Sequence, residues 1–208
     1  MSWLEKVLRS RVFVAIAVVL PGLWPAWPIL RRNPTVLADP SKYLLHHFGF
    51  VACVLLATVL SFTPLRLLFP GWGVALALNR HRRFVGVSAF AYALIHVGFQ
   101  FLHEGGWPTF WTDLRKPFIL AGIVTFSILL VLAATSFDRA ARWMGRRWKK
   151  LHRLAYVAAG LAAYHQAAAR KIFPVQVLWI FLPLLALELA RVARSLWSAR
   201  AGKSSLGR

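Results

Sequence analysis

Histidine is the chemically capable residue that this chain holds in quantity. Seven are present, His46, His47, His81, His96, His103, His152 and His165, beside one cysteine, Cys53, and six acids. A single cysteine excludes a disulfide framework, a Cys-ligated iron–sulfur cluster and the C-x-x-C-H haem attachment signature. The acids Glu5, Asp39, Glu104, Asp113 and Asp138 fall between apolar stretches or at their ends, and Glu188 sits where Arg191 or Arg194 can pair with it. No buried carboxylate relay is visible, which weakens an ion-coupled transporter reading.

Depth separates the histidines. His96 follows Arg83 by about 13 residues and His165 follows Lys150 by about 15, so at 1.5 Å per residue both lie roughly 20 Å beyond a basic edge. Two imidazoles at matched height on different helices, with no acid or cysteine nearby, suit the axial ligands of a b-type haem, whose iron accepts a neutral nitrogen on each face. The neighbouring sequences, SAFAYALIHVG and AAGLAAYHQAAA, are rich in small residues that leave room for a macrocycle. Small residues also serve plain helix packing, and buried histidines also hydrogen-bond to adjacent helices, so a structural role stands beside the ligand role.

The elements that must position these residues are membrane helices. Of the 208 residues 59% are hydrophobic and only 15% charged, with mean hydropathy +0.58, whereas a soluble domain carries about 25% charged residues. Six stretches approach the ~20 residues that span a bilayer, roughly 12–30, 44–63, 84–102, 117–136, 151–169 and 173–190. The first begins like a signal peptide but runs into Pro21, Trp24, Pro25, Trp27 and Pro28 rather than a small-residue cleavage site, and is expected to be a retained, proline-broken helix. Segment 64–83, with Pro64, Arg66, Pro70 and Gly71, reads as a connection holding a short interfacial helix. The expected architecture is an all-α six-transmembrane-helix bundle, one domain over 1–200 with a flexible tail at 201–208.

The formal charge of +20 lies in short runs between apolar stretches, the pattern of topology signals, so nucleic acid is not the expected partner. With the N-terminus inside, 19 of the 26 lysines and arginines face the cytoplasm and seven face outward, which places both termini in the cytoplasm. Trp24, Trp107, Trp111 and Trp148 near span ends read as an aromatic belt, and no G-x-G-x-x-G or Walker loop is present.

Three further positions carry chemistry. His152 lies at the cytoplasmic edge of span five, where it could hold a second haem, but the partner position on span three is Arg82, with His81 beside it. His46 and His47 open span two at the outer face, and His103 ends span three one heptad above His96, as solvated residues or as proton-accepting, quinol-contacting ones. The 103–116 loop, with Trp107, Phe110 and Trp111, is a candidate docking surface for an outer redox partner.

The order of motifs resembles a family. LADPSKYLLHHFG, ATVLSFTPLR, RHRRFVG, AYALIH, AATS and MGRRWKKLHRLAYVAAGLAAYH are similar in order and spacing to the MsrQ (YedZ) family, and the likeness runs from about residue 10 to 190. These are haem-binding membrane subunits of the bacterial methionine sulfoxide reductase system MsrPQ, within the ferric reductase-like transmembrane group. The resemblance implies haem b on His96 and His165, with His152 matching the inner histidine and Arg82 standing where its partner is expected. It implies flavin mononucleotide as a further cofactor, and the quinone pool or a flavin reductase as donor. The acceptor it implies is the periplasmic molybdopterin enzyme MsrP, and the location the bacterial inner membrane. The chain is then an electron-transfer subunit rather than the catalytic one. The alternative is a stand-alone membrane ferric reductase or quinol-oxidising cytochrome b.

Overall fold

The computed structural model describes residues 3–103, 112–170 and 173–205, and of 199–205 the backbone alone. Helices make up most of the described residues, with no strand among them. In chain order they are α1 (Trp3–Arg9), α2 (Arg11–Leu23), α3 (Ala26–Leu30), α4 (Pro34–Leu37), α5 (Pro40–Leu68), α6 (Gly73–Arg80), α7 (Arg82–His103), α8 (Pro117–Ala134), α9 (Asp138–Met144), α10 (Arg146–His152), α11 (Leu154–Ala168) and α12 (Gln176–Ser205). Four are long and apolar enough to cross a membrane: α5, α7, α8 and the Gln176–Ser198 part of α12.

The other two expected spans are interrupted helices. α2 has 13 residues and α11 has 15, or roughly 20 and 22 Å against a core of ~30 Å. Proline breaks the first: Pro25 has no N–H to give the Pro21 carbonyl, so α2 ends at Leu23 and α3 resumes at Ala26. Arg153 separates α10 from α11 while keeping right-handed helical angles, its N–H turned to Lys150 and Leu151. The two therefore run on from one another over 146–168.

Segment 64–83 differs from its expected form. α5 continues through Pro64 to Leu68, and Pro64 is fully buried. A proline inside a helix forfeits one hydrogen bond, here to Leu60, and membrane helices tolerate that where neighbours pack around the gap. Arg194 of α12 caps the end of the extended helix, donating to the carbonyls of Leu67 and Leu68 at 2.9 and 2.6 Å. α6 then packs on α1, burying Val74, Ala75 and Ala77.

Two packed pairs form the frame of the bundle. α7 runs along α5 and α11 along α8; α12 covers α5, and contacts of α7 with α8 and of α11 with α5 join the pairs. Alanine makes this approach possible: Ala89 of α7 and Ala158 of α11 have no exposed surface. Around them Leu56 and Leu60 of α5, Val85 of α7 and Leu129 of α8 complete a continuous core. The large side chains left outside, such as Leu94, Ile95, Leu130, Leu182 and Leu185, form the apolar outer surface that acyl chains would cover.

Candidate functional site

His96 belongs to a stripe on α7 that continues the buried residues Val85, Ala89, Tyr92 and Ala93. His165 continues the stripe of Ala158 and Ala162 on α11. Since α7 is backed by α5 and α11 by α8, each packed pair presents one histidine to the other pair. The rings meet with centroids 6.1 Å apart and planes crossed at 82°.

Both rings are tied back in the same way. Nδ1 of His96 stands 2.8 Å from the Leu45 carbonyl of α5, and Nδ1 of His165 stands 2.7 Å from the Phe118 carbonyl of α8. A carbonyl only accepts, so Nδ1 carries the proton in each ring and the lone pair is on Nε2, the tautomer that a metal-ligating imidazole needs. Rings held this close, each with its Nε2 lone pair free of the backing carbonyl, could both give that nitrogen to one metal. Among the described residues there is no group of three or more His, Cys, Asp or Glu able to hold a metal ion. A two-nitrogen site therefore suits a metal that brings its remaining donors with it, as in a macrocycle.

The other histidines are placed apart. Nε2 of His47 donates to the Pro21 carbonyl at 2.7 Å, filling the acceptor that Pro25 leaves without an N–H. His81 is 8% exposed, with Nε2 3.0 Å from the Leu8 carbonyl, so the neighbour of Arg82 is committed to the N-terminal helix. His152 stacks on Trp148 with centroids 3.9 Å apart and has Nε2 3.5 Å from the Thr135 hydroxyl. Arg82 lies within electrostatic reach of it and donates to the Thr63 hydroxyl at 2.8 Å. No second histidine ring faces His152 among the described residues.

At the opposite end, Nδ1 of His103 is 3.1 Å from the Ser41 hydroxyl and 3.6 Å from Asp39, with the half-buried His46 in the same electrostatic neighbourhood. Asp39 caps α5: it accepts from the Lys42 N–H at 3.0 Å and the Ser41 hydroxyl at 2.9 Å, and these bonds, the Lys42 one foremost, hold its carboxyl below the usual range. Glu188 pairs with Arg191 at 2.7 Å, and Arg191 also reaches the Tyr156 hydroxyl on α11 at 3.3 Å. The candidate docking residues Trp107, Phe110 and Trp111 lie outside the described residues. A groove of about 500 Å³ between α5 and α12, lined by Thr58, Ser61, Gln176 and Trp179 among others, includes neither His96 nor His165.

Reading residue types missed the backing groups, namely the Leu45 and Phe118 carbonyls with Gly49 and Gly122 one helical turn further on. Glycine inside an apolar span was the available signal, since it marks a place where something approaches closely.

A helical bundle with several helices long and apolar enough to cross a membrane defines a multi-pass membrane protein, and among the described residues the rings of His96 and His165 meet between its two packed pairs. Residues 48–163 match the family described as ferric reductase like transmembrane component, and the chain belongs to that family. It is 34% identical over 190 residues to the protein-methionine-sulfoxide reductase heme-binding subunit MsrQ of Brucella ovis, covering 84% of each chain. No solved structure matches.

Proposed function

We propose that this chain is the membrane electron-transfer subunit of a methionine sulfoxide reductase system, holding haem b between His96 and His165. The observation that carries the reading is the facing pair itself, whose separation and tautomers suit one metal shared by two helices. When bound, the haem supplies reversible one-electron exchange at iron. The chain's own contribution is to fix two neutral donors and to keep them among apolar helices. The proposed topology is six spans with both termini in the cytoplasm, α2–α3 and α10–α11 serving as the first and fifth. In that orientation Gly122, six residues into α8, and His165, three residues before the end of α11, lie toward the outer face. The acceptor is then periplasmic, and MsrP is the proposed partner. The proposed donor is the membrane quinone pool, directly or through flavin mononucleotide, or a flavin reductase. No residues are assigned to the flavin. The lack of a histidine facing His152 among the described residues supports one haem rather than two.

The test is electron delivery. Inner membranes containing this chain, given a reduced quinone, are expected to reduce purified MsrP, and His96→Ala is expected to abolish the transfer. Equal reduction by membranes lacking the chain contradicts the reading.

A further inference from the structure

We infer that Gly49 and Gly122 are positioning residues for the two imidazoles, a reading that rests on the haem-ligand assignment. Each ring bonds the carbonyl of residue i on the backing helix and lies across residue i+4 of the same helix: Leu45 and Gly49 for His96, Phe118 and Gly122 for His165. In an α-helix the side chain at i+4 grows out beside the carbonyl at i. In this chain the hydroxyls of Ser61 and Thr125 use that proximity to bond the carbonyls of Ala57 and Ala121. Glycine at i+4 empties the space, and a ring from the neighbouring helix takes it. Tyr92 repeats the device, its hydroxyl donating to Val18 at 2.7 Å while lying against Gly22.

The fit leaves no slack. A methyl group at Gly49 would stand 2.7 Å from Nδ1 and 2.9 Å from Cε1 of His96, and one at Gly122 would stand 2.7 and 2.8 Å from the same atoms of His165. These are closer than carbon contacts allow, and the rings cannot retreat without breaking the bonds to Leu45 and Phe118. The glycines thus admit the rings to the carbonyls that set their tautomer, and so to the orientation in which the ring planes stand at 82°. Gly98 and Gly160 lie on the histidine helices themselves, and a methyl group there would meet nothing within 4 Å.

Crossed axial imidazoles leave the iron orbitals nearly degenerate and give a ferric low-spin signal with one very large g-value, whereas parallel rings give a rhombic signal. The experiment is low-temperature electron paramagnetic resonance on the purified full-length protein, with Gly49→Ala, Gly122→Ala, Gly98→Ala and Gly160→Ala alongside. The parent is expected to show the large-g signal, and the Gly98 and Gly160 variants to keep it. Gly49→Ala and Gly122→Ala are expected to convert it to a rhombic or high-spin signal. The parent spectrum decides the ring geometry even if a variant fails to accumulate. A low-spin parent with a rhombic signal, or an unmoved signal in both variants, overturns the role of the glycines alone. Protein that binds no haem overturns this inference together with the haem reading.

Discussion

His96 and His165 lie on helices of different packed pairs, and their rings nonetheless meet 6.1 Å apart. The distance is therefore set by the seam between α5–α7 and α8–α11 rather than within either pair. The contacts of α7 with α8 and of α11 with α5 hold that seam.

His47 and His81 are structural in this account. His47→Phe removes the donor to the Pro21 carbonyl and is expected to cost about 1–2 kcal/mol, seen as a lower thermal midpoint. His81→Phe, which removes the donor to Leu8, should act likewise. Neither is expected to change the visible haem spectrum. A lost Soret band in either variant, with the helical circular dichroism unchanged, would show a ligand role.

His152→Ala is expected to leave the low-spin spectrum largely intact, because its ring contacts are Trp148 and the Thr135 hydroxyl rather than another imidazole. Haem content per protein, measured as the pyridine haemochrome, should stay at the parent value. A parent holding about two haems per chain and a variant holding about one would mean that a second haem depends on this residue.

Asp39 gives a pH-dependent prediction. Its folded carboxyl lies below the ordinary value of 3.8, so the stabilisation that it contributes is full above that value and is lost as pH falls through the lower, folded one. Asp39→Ala should therefore lower the thermal midpoint at pH 7 and make progressively less difference below pH about 4. A difference that stays constant down to pH 2 would show that the carboxylate charge plays no part.

Topology is checked by reporter fusions after residues 105 and 145. The basic asymmetry of 19 against seven predicts opposite compartments, the first periplasmic and the second cytoplasmic. Both on one side would break the six-span map.

Some of this arrangement was legible in the chain itself. The pairing of His96 with His165 could be read because depth along a membrane helix is nearly linear in residue number. The partners of His47 and His81 could not, since each bonds a backbone carbonyl far away in sequence, and any residue type supplies a carbonyl. Pro64 reads as a break, yet burial on all sides lets α5 pass through it. Gly49 and Gly122 look like any membrane glycine until the opposing ring is known. The interruptions at Pro25 and Arg153 fall at a proline cluster and in a basic run, where the sequence marks a disturbance without giving its extent.

The most direct test of the central claim is the visible spectrum and haemochrome content of the purified protein beside His96→Ala and His165→Ala. The parent is expected to show a low-spin b-type spectrum with about one haem per chain. Each substitution removes one of two axial nitrogens, so each should lose the haem or convert it to high spin. A parent without a Soret band, or an unchanged low-spin spectrum in both variants, would contradict the account.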